Sequence, residues 1–232
     1  MERKKVLKFR SKILEAKALC SDVKHFAITI PENFHFYPGQ FISIILKVNG
    51  QEFRRPYSIA SKPCPNRLDL CIKILSNGKI TPKINEFKEG DEIDVIGPMG
   101  DFIVKEQSMK KDLVFVSTGT GVTPFRSIIP HLLENNFKNK ITLITGYRYE
   151  ENCLYESEFL ELEKKYKNFT YQRILSKPKE GDKGHVQKLV EKNIDKNKDY
   201  YICGLKAMVF SVKDLLLEKG IPKENIFFEK YD

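Results

Sequence analysis

A chain of 232 residues is one large domain or two modest ones, and 41% hydrophobic residues are enough for a buried core in either case. The net charge of +9 is spread along the chain with Asp and Glu interleaved; it reads equally as a lysine-rich solvated face or as attraction for an acidic partner, and no basic–aromatic module of the kind that grips nucleic acid stands out. Five cysteines, none at C-x-x-C spacing, exclude the short-spaced ligand groups of an iron–sulfur cluster or structural zinc, so any electron carrier bound here is organic or belongs to a partner.

Met1 is followed by Glu, Arg and Lys with no apolar signal segment, and the longest apolar runs fall far short of the roughly 20 residues of a membrane span. The expectation is a soluble, cytoplasmic protein with no resident metal. Through the first half, period-two or continuous apolar runs predict strands over Val6–Ile13, Val23–Ile30, Phe41–Leu46, Arg55–Ile59, Leu68–Ile74 and Glu92–Ile96. Turn formers such as Pro38-Gly39, Asn49-Gly50, Asn77-Gly78 and Gly90-Asp91 separate them, the pattern of a small antiparallel barrel. The rhythm changes after the polar stretch Val104–Asp112. Strands over Leu113–Ser117, Ile141–Gly146, Phe169–Leu175 and Tyr200–Cys203 alternate with helical patterns at Phe125–Leu133, Ser157–Lys165, His185–Lys192 and Leu205–Lys219, which predicts βαβ units and a parallel sheet. The expected domains are 1–107 and 108–232.

Four short motifs carry chemistry. Arg55-Pro56-Tyr57-Ser58 lies on a strand whose alternation puts Arg55 and Tyr57 on one face. A guanidinium binds phosphate through charge-assisted bonds, an aromatic ring stacks on a flat heterocycle, and a hydroxyl addresses a ring nitrogen; an ordinary surface strand also carries such residues. Gly119-Thr120-Gly121-Val122-Thr123-Pro124 runs from a buried strand into a helix, where glycines permit close backbone approach and the free N–H groups favour an anion. The common dinucleotide fingerprint has a third glycine where this chain has Pro124, and G-T-G alone also serves as a plain strand–helix turn. Gly78-Lys79-Ile80-Thr81 reads as a second anion-binding corner or simply as a turn, and Tyr201-Ile202-Cys203-Gly204 ends a parallel strand where α/β ligands collect, although a buried Cys more often just packs.

The order of these motifs, with Gly97–Phe102 between the second and third and Met208 after the last, resembles the ferredoxin–NADP reductase family over nearly the whole chain. The resemblance implies a six-stranded barrel that binds FAD and a five-stranded α/β domain that binds NAD(P). It implies that Arg55 and Pro56 lie at the flavin pyrophosphate, that Tyr57 stacks on the isoalloxazine, and that Ser58 lies near N5. Ile72, Gly78, Lys79, Ile80 and Thr81 complete the FAD site, with the Thr81 hydroxyl on the pyrophosphate. Gly119, Thr120, Gly121, Val122, Thr123 and Pro124 cradle the dinucleotide, while Cys203, Gly204 and Met208 lie at the nicotinamide. Tyr57, Ser58 and Cys203 are the implied catalytic residues. Tyr231 or Phe228 covers the flavin's other face, or else Phe227 and Phe228 form a last sheet strand. Ser176-Lys177, with Arg148, resembles the pocket of NADPH-binding relatives, so NADP is expected and NAD is the alternative. The implied activity is hydride transfer between NAD(P)H and FAD. Electrons then pass to an acidic carrier such as ferredoxin or flavodoxin; a free flavin or another small acceptor, and an electron-transfer subunit of a larger complex, are the alternatives.

Overall fold

A computed structural model of the chain describes residues 4–231. They divide into two units, one formed by the described residues up to Ile103 together with Arg126–His131, the other by Val104–Phe125 and the described residues from Leu132 onward. No helix among them is long and apolar enough to cross a membrane.

The first unit holds β1 (Leu7–Cys20), β2 (Val23–Thr29), β3 (Phe41–Val48), β4 (Gln51–Ser58), β5 (Arg67–Lys73), the short helix α1 (Thr81–Asn85) and β6 (Glu92–Met99). The strands form one antiparallel sheet in the order β4-β3-β6-β1-β2-β5, and an Ile59–Leu70 bridge draws its two edges together, as a barrel requires. All six expected strands are present. The first is longer than its apolar run: Leu7–Lys12 pairs with β6, then a register shift between Ile13 and Glu15 hands the strand to β2. Glu15-Ala16-Lys17-Ala18 alternates only with small alanines, a weak apolar signal, and it pairs along β2. Ile42, Ile59, Leu68, Leu70 and Ile72 are fully buried in the barrel core. Each contributes about 1.5–3 kcal/mol through removal of apolar surface from water.

The second unit holds β7 (Leu113–Thr118), β8 (Ile141–Tyr147), β9 (Phe169–Leu175), β10 (Asp199–Leu205) and β11 (Ile226–Tyr231). Its helices are α3 (Glu156–Lys165), α4 (Val186–Glu191) and α5 (Lys206–Glu218), with the first and last residues of α2 (Thr123–Glu134). The five strands are parallel, in the order β11-β10-β7-β8-β9. One face, through Val114, Val116, Tyr200 and Ile202, packs on Val186 and Val190 of α4 and Val209 and Val212 of α5. On the other, Phe115 meets Phe125 at 5.0 Å and Tyr171 stacks on Phe159 of α3 at 5.5 Å. The chain leaves β7 for β8 on one side and returns to β10 on the other, so the order reverses between β7 and β10. In such sheets the crevice beyond the carboxyl ends at that reversal is where ligands bind.

Candidate functional site

In the barrel unit, β4 pairs with β3 so that Arg55 lies opposite Ile44 and Tyr57 opposite Ile42. An edge strand tolerates Pro56, whose missing N–H would break a central ladder. Phe53, Arg55 and Tyr57 alternate onto one face: the Arg55 guanidinium lies 5.7 Å over the Phe53 ring. Burial pushes the Tyr57 hydroxyl up to about 12, against an opposing pull from the Arg55 charge. Tyr57 therefore stays protonated as a neutral ring with a donor at its tip. Arg55 is exposed and donates to the Arg54 carbonyl at 3.1 Å, which leaves most of its five N–H donors facing outward. Ser58, one residue on, is buried.

The Gly78–Thr81 corner differs in detail from its expected use. The Thr81 hydroxyl accepts from Leu75 N at 2.9 Å and donates to Leu75 O at 3.0 Å, so it ties the corner together rather than pointing outward. Lys79 is exposed and Ile80 buried. Ile72 is fully buried with its side chain in the core, and only its backbone is available to a ligand.

In the second unit, β7 ends in a 3-10 turn over Gly119–Val122 that runs directly into α2 at Thr123. The two glycines do different jobs. Gly119 has φ +54°, and a Cβ there would meet nothing within 4 Å, so it makes the turn and faces open space. At Gly121 a Cβ would lie 2.3 Å from the Cys203 carbonyl oxygen and 2.7 Å from Gly204 Cα. Gly121 therefore lets the loop press onto the end of β10, the close-packing role that the common fingerprint gives to its third glycine. Thr120 is half-buried, with its carbonyl accepting from the Thr123 hydroxyl at 2.6 Å; Val122, Thr123 and Pro124 are buried beneath the turn.

Cys203 lies in register with Ser117 on β7 and with Glu229 on β11. Its thiol is held well above the usual range, mainly by burial and further by the neighbouring Glu229 carboxylate, while a hydrogen bond from the Tyr231 side chain opposes the shift. A thiol so placed is neutral and no nucleophile. Met208 reaches back to where a Gly204 side chain would stand, 2.8 Å from that Cβ position. Two hydroxyls at the same strand end, Ser117 Oγ and Thr118 Oγ1, are buried without a hydrogen-bond partner among the described residues. Left so, each costs about 1–3 kcal/mol, and a polar ligand at this strand end would relieve it. The donor set and the open side of Gly119 fit a dinucleotide.

Further along the same strand ends, Ser176 N donates to Tyr147 O at 3.0 Å and Lys177 N to Arg148 O at 2.9 Å. These bonds bring Arg148, Ser176 and Lys177 into one corner, with both cations exposed. Sequence reasoning missed Glu229, Ser117 and Thr118. Glu229 emerges only from the pairing of β10 with β11, though the alternation of Glu229 and Tyr231 along one face was a usable signal. Phe227 and Phe228 are sheet residues: Phe227 stacks on Tyr201 at 4.6 Å, and Phe228 meets Phe210 at 6.3 Å.

Two family models match the chain, an oxidoreductase FAD-binding domain over residues 10–103 and an oxidoreductase NAD-binding domain over residues 115–214. The chain is 31% identical over 212 residues to ferredoxin–NADP reductase B of Sorangium cellulosum, covering 86% of each. It is 30% identical over 214 residues to the propane 2-monooxygenase reductase component of Rhodococcus jostii, but spans 57% of that protein's length. A likeness of fold extends to a crystal structure of a ferredoxin NADP+ reductase from Neisseria gonorrhoeae with bound FAD and NADP, with TM-score 0.85, 21% identity and 99% of both chains covered.

Proposed function

The chain belongs to the ferredoxin–NADP reductase family and is an NAD(P)H-dependent flavoprotein oxidoreductase; from that premise we propose that it moves hydride equivalents between NADPH and FAD and delivers electrons to an acidic carrier such as ferredoxin or flavodoxin. The observation that carries this reading is the strand end at the sheet reversal, where Gly119 is open, Ser117 and Thr118 have hydroxyls without a partner among the described residues, and a neutral Cys203 sits against Glu229. FAD, when bound, supplies the redox chemistry that no side chain here provides.

The chain's own residues bind and orient. Arg55 offers its outward N–H donors to a phosphate, and Tyr57 offers a flat, neutral ring. Ser58 supplies a hydroxyl at the end of the same strand. The N–H groups of the Gly119–Val122 turn and the first turn of α2 receive a second pyrophosphate, because they lack intrahelical partners and sit at the positive end of the helix dipole. Cys203 sets an uncharged wall for a ring, and Gly204 keeps space beside it. Arg148, Ser176 and Lys177 favour a ribose phosphate, hence NADPH over NADH.

The net charge of +9 supports an acidic electron partner through long-range steering, a contribution that added salt screens. Turnover with an acidic ferredoxin is expected to fall as ionic strength rises, whereas a rate indifferent to salt would count against that partner. Arg55→Ala is expected to lower the flavin content of the purified protein, since it removes bonds each worth about 1.5–3 kcal/mol. Unchanged flavin absorbance per chain would remove Arg55 from the site.

A further inference from the structure

The corner formed by Arg148, Ser176 and Lys177 is closed by a residue that the proposed chemistry does not use. The ladder between β8 and β9 runs on to Tyr147 opposite Leu175. Beyond it, the backbone donors of the next segment are all spent on the chain that follows β8. Ser176 N bonds Tyr147 O, Lys177 N bonds Arg148 O, and Lys179 N donates to Glu150 Oε1 at 3.0 Å. Pro178, between them, has no N–H to offer. The third bond goes to a side chain because the backbone there is already engaged. Tyr149 O accepts from Asn152 N at 3.2 Å and Glu150 O from Cys153 N at 3.1 Å, within the 3-10 turn Glu150–Asn152. The Glu150 carboxylate thus stands in for a ladder carbonyl. Its own backbone N–H and that of Lys179 hold it below the usual carboxylate range, so it is charged at neutral pH.

A carboxylate at such a corner has two opposite uses. Free to turn, it would accept from a ribose 2′-hydroxyl, favour NADH and repel a 2′-phosphate. Bonded to Lys179 N, it instead fixes the segment that carries Ser176 and Lys177. Oε1 takes that bond, while Oε2 is buried with no partner among the described residues. Long cationic side chains lose entropy when they grip a phosphate, so the grip gains from a backbone already fixed beneath them. We propose that Glu150 is a positioning residue for coenzyme selection, whose carboxylate, bonded to Lys179 N, fixes Ser176 and Lys177 beside Arg148 so that the three address a ribose phosphate. This rests on the proposed reading of that corner as the place where NADPH is favoured over NADH. Glu150 acts through its reach to the Lys179 N–H and not through its charge.

Three variants separate reach from charge. Glu150→Gln keeps the acceptor and removes the charge, Glu150→Asp keeps the charge but is one methylene too short, and Glu150→Ala loses both. In the flavin-loaded proteins, kcat/KM is measured with NADPH and with NADH, NADP+ and NAD+ affinities are measured by titration, and amide hydrogen exchange is followed at residues 176–179. Expected for Glu150→Asp and Glu150→Ala are faster exchange of that segment and a fall of about fivefold or more in the NADPH-to-NADH ratio of kcat/KM. That fall is carried by KM and NADP+ affinity, and it lies inside the roughly 100-fold that misplacement by about 1 Å can cost. Glu150→Gln is expected within about twofold of the wild-type ratio, because an amide oxygen still accepts from Lys179 N. A ratio that rises in Glu150→Gln and Glu150→Ala overturns the proposal, as does an equal fall in all three variants. So does a wild-type ratio in Glu150→Asp and Glu150→Ala, including one kept by equal losses with both nucleotides. If Glu150→Ala does not fold, Glu150→Asp and Glu150→Gln decide between them. A wild type with no preference for NADPH instead overturns the reading of the corner itself.

Discussion

The two ends of β10 are built on opposite principles. At its amino end Asp199, wholly buried, accepts from Ser108 Oγ at 2.6 Å and from Lys111 Nζ at 2.8 Å, while Lys111 also reaches Asn225 at 2.8 Å. Tyr201 OH meets Ser108 Oγ at 2.8 Å and accepts from Lys105 N at 2.9 Å. Every one of these polar groups is answered within the chain. At the carboxyl end, two residues past Tyr201, Cys203 is flanked by a hydroxyl without a partner among the described residues and by a carboxylate that raises its thiol further. Among the described residues, one end of the strand has its buried polar groups paired, and the other has two buried hydroxyls that are not. A buried network stabilises only when complete, and incomplete burial is expected where function demands it.

The amino end should therefore break on loss of a partner. Asp199→Asn is expected to destabilise the protein by about 3 kcal/mol, the lower part of the range for breaking a buried ion pair because Lys111 partly reaches solvent. Urea unfolding measures it, and a loss below about 1 kcal/mol would show that the network is not what holds this end. At the carboxyl end the glycines are the sensitive points. Gly121→Ala places a methyl against the Cys203 carbonyl and is expected to cost about 1–3 kcal/mol in stability and to weaken NADPH binding about 10-fold or more. Gly119→Ala has room for its methyl and costs only the left-handed backbone, about 1 kcal/mol. Equal effects of the two substitutions would erase the distinction drawn between them.

The hydroxyls sharpen the same contrast in the other direction. Ser117→Ala removes an unanswered buried group, so the coenzyme-free protein is expected to be unchanged or stabilised by up to about 1 kcal/mol in thermal unfolding. A clear destabilisation would mean that the hydroxyl already has a partner. The smallest effect is on pH. The folded state holds the Cys203 thiol protonated above its ordinary value of 9.0, so above that pH the unfolded chain binds fewer protons than the folded one. Stability due to this group is complete below pH 9.0 and declines as pH rises past it. Cys203→Ala should flatten the alkaline limb of the stability curve relative to wild type; identical limbs would contradict the shift.

Much of this contrast was legible in the sequence, because the barrel and the α/β unit announce themselves by local periodicity. The Arg55–Ser58 and Gly119–Pro124 motifs are contiguous, so their chemistry could be read without a fold. The extension of β1 to Cys20 was hidden, since Glu15–Ala18 takes its pairing from β2 rather than from its own pattern. Ile72 and Thr81 show a different limit: a residue type suited to a ligand can be spent on the core or on its own turn, and only packing tells which. The role of Gly121 depends on where the carbonyl of Cys203 lies, 82 residues later in the chain by the numbering 203 − 121. Glu229 was invisible for the same reason, as it gains meaning from a partner distant in sequence.

The central claim is that this strand end, with the Arg55–Ser58 strand, serves NADPH and FAD. It is tested most directly by purifying the protein, confirming its flavin absorbance, and mixing it anaerobically with NADPH or NADH in a stopped-flow spectrometer. The account predicts rapid bleaching of the flavin, faster at limiting NADPH than at equal NADH. A protein that binds added FAD but is bleached by neither nucleotide would contradict it.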